Sequence, residues 1–198
     1  MRRSLLLVLA APAALLLVAS PAVVRTAAAQ SPASSPDVAA TDAPEVGQMA
    51  PDFTAEWADA TGPGAAPLSL SDYRGKVVVL AFYPKDRSSG CTAELHKFRD
   101  EQATLFGPDV VVLPISVDDV ETHAAWAKDD NFTFRLVADP ELKVAALYGS
   151  KMAERPMASR TIFVVDREGR IAWREMRFNA LNEKAYQTLA AEVAKARN

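Results

Sequence analysis

The chain has 198 residues, 49% of them hydrophobic and 24% charged, with a formal net charge of −3; that allows one domain with a real core and little more. One cysteine excludes an internal disulfide, and with only two histidines it makes no recognisable metal-ligand spacing. No basic patch interleaved with aromatics points to nucleic acid, and neither a phosphate-binding loop nor a dinucleotide fingerprint is present.

Residues 1–29 read as a targeting segment. Arg2 and Arg3 give a positive start, residues 4–19 are almost wholly apolar, and Ala27-Ala28-Ala29 before Gln30 suits a small-residue cleavage site. The expectation is an exported protein, periplasmic or otherwise extracytoplasmic. The apolar run is just short for a spanning helix, and an uncleaved membrane anchor is the alternative. Without Arg2, Arg3 and Arg25 the formal charge moves from −3 to −6. Residues 30–44 (QSPASSPDVAATDAP) lack apolar periodicity and read as a flexible tether, leaving residues 45–198 as the folded domain.

Residues 51–67 look irregular, with Gly62-Pro63-Gly64 as a turn between two short extended pieces. Residues 77–82 (VVVLAF) are continuously apolar, as in a strand covered on both faces by helices. Pro84, a polar loop and Gly90 follow, then a helix whose Leu95, Phe98 and Leu105 share a face. Phe106-Gly107-Pro108 stops it, and residues 110–117 supply a second apolar strand. Asp118 with Glu121 predicts a capping box for a helix to about Asp130. Residues 134–138 form a third strand, and Asp139-Pro140 opens a helix ending near Gly149. Residues 161–165 and 171–175 flank a turn as a hairpin. A last helix from about Glu183 carries Tyr186, Leu189, Ala190 and Val193 at helical spacing. Alternating strands and helices that close on a hairpin define an α/β sandwich.

Cys91 opens the face that Leu95 and Phe98 continue. The first turn of a helix presents free N–H groups and the positive end of the dipole, which favour a nucleophilic thiolate. A buried structural cysteine is the competing reading.

The surrounding residues resemble the peroxiredoxins, the alkyl-hydroperoxide-reductase and thiol-specific-antioxidant superfamily. Pro84, Ser88 and Cys91 match its active-site spacing, and LSDYRGKVVVLAFYPKD with CTAEL is similar to the bacterioferritin-comigratory (Q-type) subgroup. VGQMAPDF resembles the family's opening motif, and SRTIFVVDREGRI its arginine-bearing segment; together the resemblance spans residues 46–171. It implies a thioredoxin-like fold, a central mixed β-sheet flanked by helices, here with an N-terminal extension.

Two departures stand out. The chain has Ser88-Ser89-Gly90-Cys91 where the subgroup often has Thr-Pro-Gly-Cys, and His96 where a second, resolving cysteine frequently lies. A two-cysteine cycle within one chain is therefore excluded.

The resemblance implies that Cys91 attacks a peroxide oxygen, that Arg160 pairs with thiolate and peroxide, that Ser88 orients the peroxide, and that Pro84 shapes and shields the loop. Glu94 matches an acidic position that helps hold the arginine; a solvated carboxylate near the start of the helix is the equal alternative. His96 lies about 140° round the helix from Cys91 and reads as a surface residue rather than a general base. His123 belongs to another helix and joins no metal set; Trp57, Trp126 and Trp173 read as packing.

The expected function is thiol-dependent reduction of hydrogen peroxide and organic hydroperoxides by one cysteine, with no cofactor and no metal. An external thiol would complete the cycle: a thioredoxin-like protein, a small thiol, or the Cys91 of a second copy. The expected assembly is a monomer or weak dimer. One rival is an envelope thiol–disulfide oxidoreductase, but Ser88 stands where its Cys-x-x-Cys would need a cysteine. Another is a non-enzymatic redox sensor, which fast oxidation with slow turnover would reveal.

Overall fold

A computed structural model describes residues 42–198. The expected targeting segment and most of the expected tether lie outside the described residues.

Strand β5 (Val77–Phe82) is the axis of the fold, and all six of its residues are buried. Its pleat sends Val77, Val79 and Ala81 into one apolar layer and Val78, Leu80 and Phe82 into another. A strand buried on both faces has no polar side to alternate with, which is why the sequence reads as an unbroken apolar run. On one flank it pairs in parallel with β6 (Val110–Ser116), on the other antiparallel with β8 (Thr161–Val165).

The sheet extends to seven strands. Beyond β6 lie β7 (Leu136–Ala138), in parallel, then β2 (Trp57–Asp59) and β3 (Gly62–Pro63), both antiparallel. Beyond β8 lies β9 (Ile171–Glu175), the second arm of the expected hairpin. Helices α1 (Ser89–Asp100), α2 (Gln102–Leu105), α3 (Val120–Asp129) and α5 (Glu183–Arg197) fill the layer under Val79 with Leu95, Phe98, Leu105, Trp126 and Leu189. The other face is covered by a small antiparallel pair, β1 (Thr54–Ala55) with β4 (Leu68–Ser69), and by α4 (Lys143–Leu147). This is the thioredoxin-like sandwich with a mixed central sheet. Among the described residues, no helix is long and apolar enough to cross a membrane.

Several boundaries differ from the sequence expectation. Residues 51–67 contain three short strands, and the turn between β2 and β3 is at Ala60 and Thr61, where Asp59 accepts from the Thr61 N–H and hydroxyl. Gly62 and Pro63 belong to the strand itself. Asp119, not Asp118, caps α3 by accepting from Thr122 N at 2.8 Å. The helix expected at Asp139-Pro140 begins at Lys143, with Leu142 in the N-cap position; the Asp139 carboxylate still reaches its first turn, accepting from Val144 N (3.1 Å) and Ala145 N (2.8 Å). Burial pushes the Asp139 carboxyl above its usual range, and those N–H groups oppose the rise. The tether also stops short of its expected end. Arg174 Nη1 donates to the carbonyls of Ala43 and Pro44 at 3.0 Å each, so these residues are anchored to β9.

Candidate active site

The end of β5 sets up the site. Tyr83 N still bonds Ile115 O at 3.0 Å, but Pro84 has no N–H to offer, and the chain leaves the sheet. It re-enters regular structure at Ser88, the N-cap position of α1, whose carbonyl accepts from Thr92 N at 2.8 Å. Cys91 is therefore the third residue of the helix, in its first turn, and it is fully buried.

Glu94 follows three residues later, on the same helical face, and is also fully buried. Arg160 joins the two. Its Nη2 donates to Cys91 Sγ at 3.2 Å, while Nη1 donates to Glu94 Oε2 in an ion pair. The guanidinium fork suits this double duty, since its two nitrogens point along fixed, separate directions. Glu94 is thus a buried ion-pair partner of the arginine rather than a solvated carboxylate. Its other oxygen, Oε1, is buried and accepts no hydrogen bond within the described residues.

Arg160 is placed by its own neighbours. Phe178 N donates to its carbonyl at 3.0 Å, and Ser159 donates twice to Ser150 O, from N (2.7 Å) and Oγ (2.9 Å). Ser150 Oγ and Thr161 Oγ1, both on fully buried residues, lie 2.5 Å apart. No local pattern marks Ser150 or Thr161, because their partners meet only when the segment before β8 folds back. A groove of about 390 Å³ opens beside the guanidinium, lined by Gly90, Ser159, Met176, Phe178 and Leu181.

The other expected residues fall as follows. Ser88 is exposed, and its hydroxyl donates to Lys85 O at 3.2 Å, a bond that stabilises the loop. Pro84 is half-buried where the strand ends. His96 turns away, with Nε2 3.3 Å from Asp130 Oδ2 and its ring edge-on to Phe132. His123 belongs to no metal set; among the described residues, no group of three His, Cys, Asp or Glu side chains is placed to hold an ion. It is nonetheless fully buried and bonded to Asp86, a feature the sequence did not announce. The signal was there: His123 shares a helical face with Trp126 and Ala127, three and four residues on, which are core residues. Trp126 packs against Phe132 and Tyr83, whereas Trp57 lies under the Arg135 guanidinium at 4.3 Å.

The arrangement is a shielded sulfur nucleophile facing a cation that is itself held by a carboxylate. Positive charge fixed beside the reacting sulfur stabilises negative charge on sulfur before attack and on the departing oxygen after it. These features define a thiol-based redox enzyme on a thioredoxin-like sheet.

Comparison with known proteins gives the family. Residues 46–174 match the model of the AhpC/TSA family. The chain is 34% identical over 153 residues to peroxiredoxin Bcp of Bacillus subtilis, covering 73% of this chain and 94% of that one. It is 40% identical over 134 residues to the putative peroxiredoxin bcp of Coxiella burnetii, covering 65% and 85%. The crystal structure of peroxidoxin BcpB from Mycobacterium tuberculosis superposes with a TM-score of 0.66 at 28% identity, covering 78% and 99%. The chain belongs to the AhpC/TSA family, as a Bcp/Q-type peroxiredoxin, and is a thiol-dependent peroxidase.

Proposed function

We propose that this peroxiredoxin works with one cysteine and takes hydrogen peroxide and organic hydroperoxides. The Cys91 thiolate attacks one oxygen of the peroxide; the O–O bond breaks, Cys91 becomes a sulfenic acid, and the leaving oxygen takes a proton to depart as water or an alcohol. A thiol from outside then condenses with the sulfenic acid to a mixed disulfide and water, and a second thiol releases reduced Cys91 with a disulfide as product. Ser88 and Pro84 act on the loop that presents the thiol, and Ser88 orients the bound peroxide.

The observation that carries this reading is Arg160 bridging Glu94 and Cys91, the only cysteine of the chain. The reductant is a thioredoxin-like protein or a small thiol. The apolar run and small-residue site within residues 1–29 support export to the periplasm or another extracytoplasmic space. N-terminal sequencing of the protein recovered from cell fractions checks that assignment.

The mechanism is tested by adding one equivalent of peroxide to the reduced protein and weighing the product. The expected product is a monomer that gained one oxygen at Cys91 and is returned to the starting mass by external thiol, with repeated turnover. A dimer linked through Cys91 as the main product overturns the choice of reductant and makes a second copy the reducing thiol; oxidation no faster than that of a free thiol overturns the mechanism.

A further inference from the structure

A buried polar cluster lies behind the loop that carries the thiol. Asp86, in the middle of that loop, is 6% exposed although its neighbours Lys85 and Arg87 are exposed. Its Oδ1 accepts from Tyr83 OH at 2.7 Å, and its Oδ2 lies 2.8 Å from Nδ1 of the fully buried His123. Its backbone N–H donates to Asp118 Oδ2 at 2.8 Å, and Ser116 Oγ donates to the same oxygen at 2.8 Å. The other ring nitrogen of His123, Nε2, is 3.2 Å from Val137 O.

The imidazole thus spans the Asp86 carboxyl group and the Val137 carbonyl, with one partner on each ring nitrogen. The Asp86–His123 contact joins two buried side chains, and a buried polar bond is costly to leave half made. It ties the loop after β5 to α3 and β7 at once, while Asp118 ties it to the end of β6. The backbone between these ties is unusual: Arg87 has φ +59°, a left-handed conformation that a non-glycine side chain disfavours. Such a residue persists when its surroundings over-determine it. The Arg87–Asp129 ion pair is about half exposed on both sides and contributes little; the buried anchoring of Asp86 next door is what remains.

We propose that Asp86 and His123 form a buried positioning pair for the peroxidase reaction, fixing the loop at residues 84–88 so that Cys91 is presented to Arg160. Tyr83 completes the pair by occupying the second carboxylate oxygen, and its ring packs on Trp126 so that the hydroxyl is held in place. The pair touches no reacting atom and acts through the loop.

The inference rests on the peroxidase reading, and the test separates the two. Wild type, Asp86→Asn, His123→Gln, the double variant and Tyr83→Phe are compared well below their melting transitions. Two rates are read at a pH where the thiol is fully ionised in every variant: oxidation of Cys91 by hydrogen peroxide, and its alkylation by iodoacetamide, which needs an accessible thiolate but no donor aligned with a departing oxygen. The two single variants are expected to lose about tenfold or more in peroxide rate, since misplacement by about 1 Å costs up to roughly 10²-fold. Their alkylation rates hold or rise, and the double variant falls no further than the worse single, as two halves of one device should. Loss of stability alone moves neither rate in the folded protein. Additive losses, or a peroxide rate equal to wild type in folded variants, overturn the positioning role. Should the Asp86 and His123 variants fail to fold, Tyr83→Phe decides: a reduced peroxide rate supports the proposal and an unchanged one overturns it. A wild type no faster than a free thiol overturns both readings, whereas a fast wild type with unaffected variants overturns this one alone.

Discussion

The Glu94 carboxylate and the Arg160 guanidinium form an ion pair in which the acid is fully buried and the base is 18% exposed. The two residues come from different halves of the chain, one from α1 and one from the segment entering β8. Because Arg160 spends one nitrogen on Glu94, its other nitrogen has a fixed direction, and that direction ends on Cys91 Sγ. A flexible surface arginine would have to be ordered at each turnover; this one is ordered beforehand, which is what makes fixed charge effective in catalysis.

Removing the arginine is therefore expected to lower the rate of Cys91 oxidation by peroxide. Arg160→Ala is expected to lose roughly 10²–10³-fold, the range for deleting one pre-oriented donor at a developing negative charge. Arg160→Lys is expected to lie between the two, because an ammonium is one point of charge and cannot reach acid and sulfur along two fixed directions. Stopped-flow fluorescence or quenched thiol counting gives the rates. A lysine variant as fast as wild type speaks against the bridging geometry.

The carboxylate has a different signature. Glu94→Ala leaves a cation largely buried without its partner and is expected to destabilise the fold by about 3–5 kcal/mol in denaturant titration. Glu94→Gln keeps the shape and one acceptor, so the stability loss is smaller, while the peroxide rate falls by about tenfold or more with loss of a charge-assisted bond of roughly 1.5–3 kcal/mol. If Glu94→Gln alters stability and leaves the rate alone, Glu94 is a packing residue only.

How far such a site can be read from sequence depends on how its partners are spaced. Cys91, Glu94, Ser88 and Pro84 lie within one strand–loop–helix unit, where the apolar run and the motif spacing place them, and Arg160 follows from a second motif. Strand β5, α1 and the β8–β9 hairpin were legible for the same reason: each has a strong local pattern. The cluster of Asp86, Asp118 and His123 was not. Its bonds join residues 32 and 37 positions apart, and each member taken alone resembles an ordinary loop or helix polar residue. Asp118 even mimicked the helix cap that Asp119 provides. Of the short strands β1 to β3 the sequence indicated only two extended pieces around a turn, placed at Gly62-Pro63-Gly64, because two or three residues carry no periodicity and their pairing comes from the partners across the sheet.

The buried tyrosines give a prediction for alkaline solution. Burial pushes the Tyr186 phenol up from 10.0 to about 12, its hydroxyl donating to Ala180 O, and burial raises Tyr83 and Tyr148 further. A phenol whose folded pKa exceeds the unfolded one contributes stability that is fully present below pH 10 and is lost as pH rises towards the folded value. Denaturation curves should therefore show stability falling from about pH 10 upward, and Tyr186→Phe should fall less over pH 10 to 12 because one of the groups is gone. An identical pH slope in the variant would place that phenol in contact with solvent.

The two faces of β5 allow stability to be separated from chemistry. Leu80 is fully buried and faces the layer of Phe53, Leu113, Tyr148 and Phe163, whereas Cys91 and Leu95 belong to the opposite layer. In Leu80→Ala the strand is held by β6 and β8, so the site cannot collapse to fill the void, and the cost should be about 2–5 kcal/mol. Denaturant midpoints report this loss. The rate of Cys91 oxidation, measured where the variant is fully folded, should match wild type, since the sheet backbone between the layers carries the load. A slower rate together with an unmoved midpoint would mean that the distant layer tunes the thiol directly, and the division of labour between the two faces would be wrong.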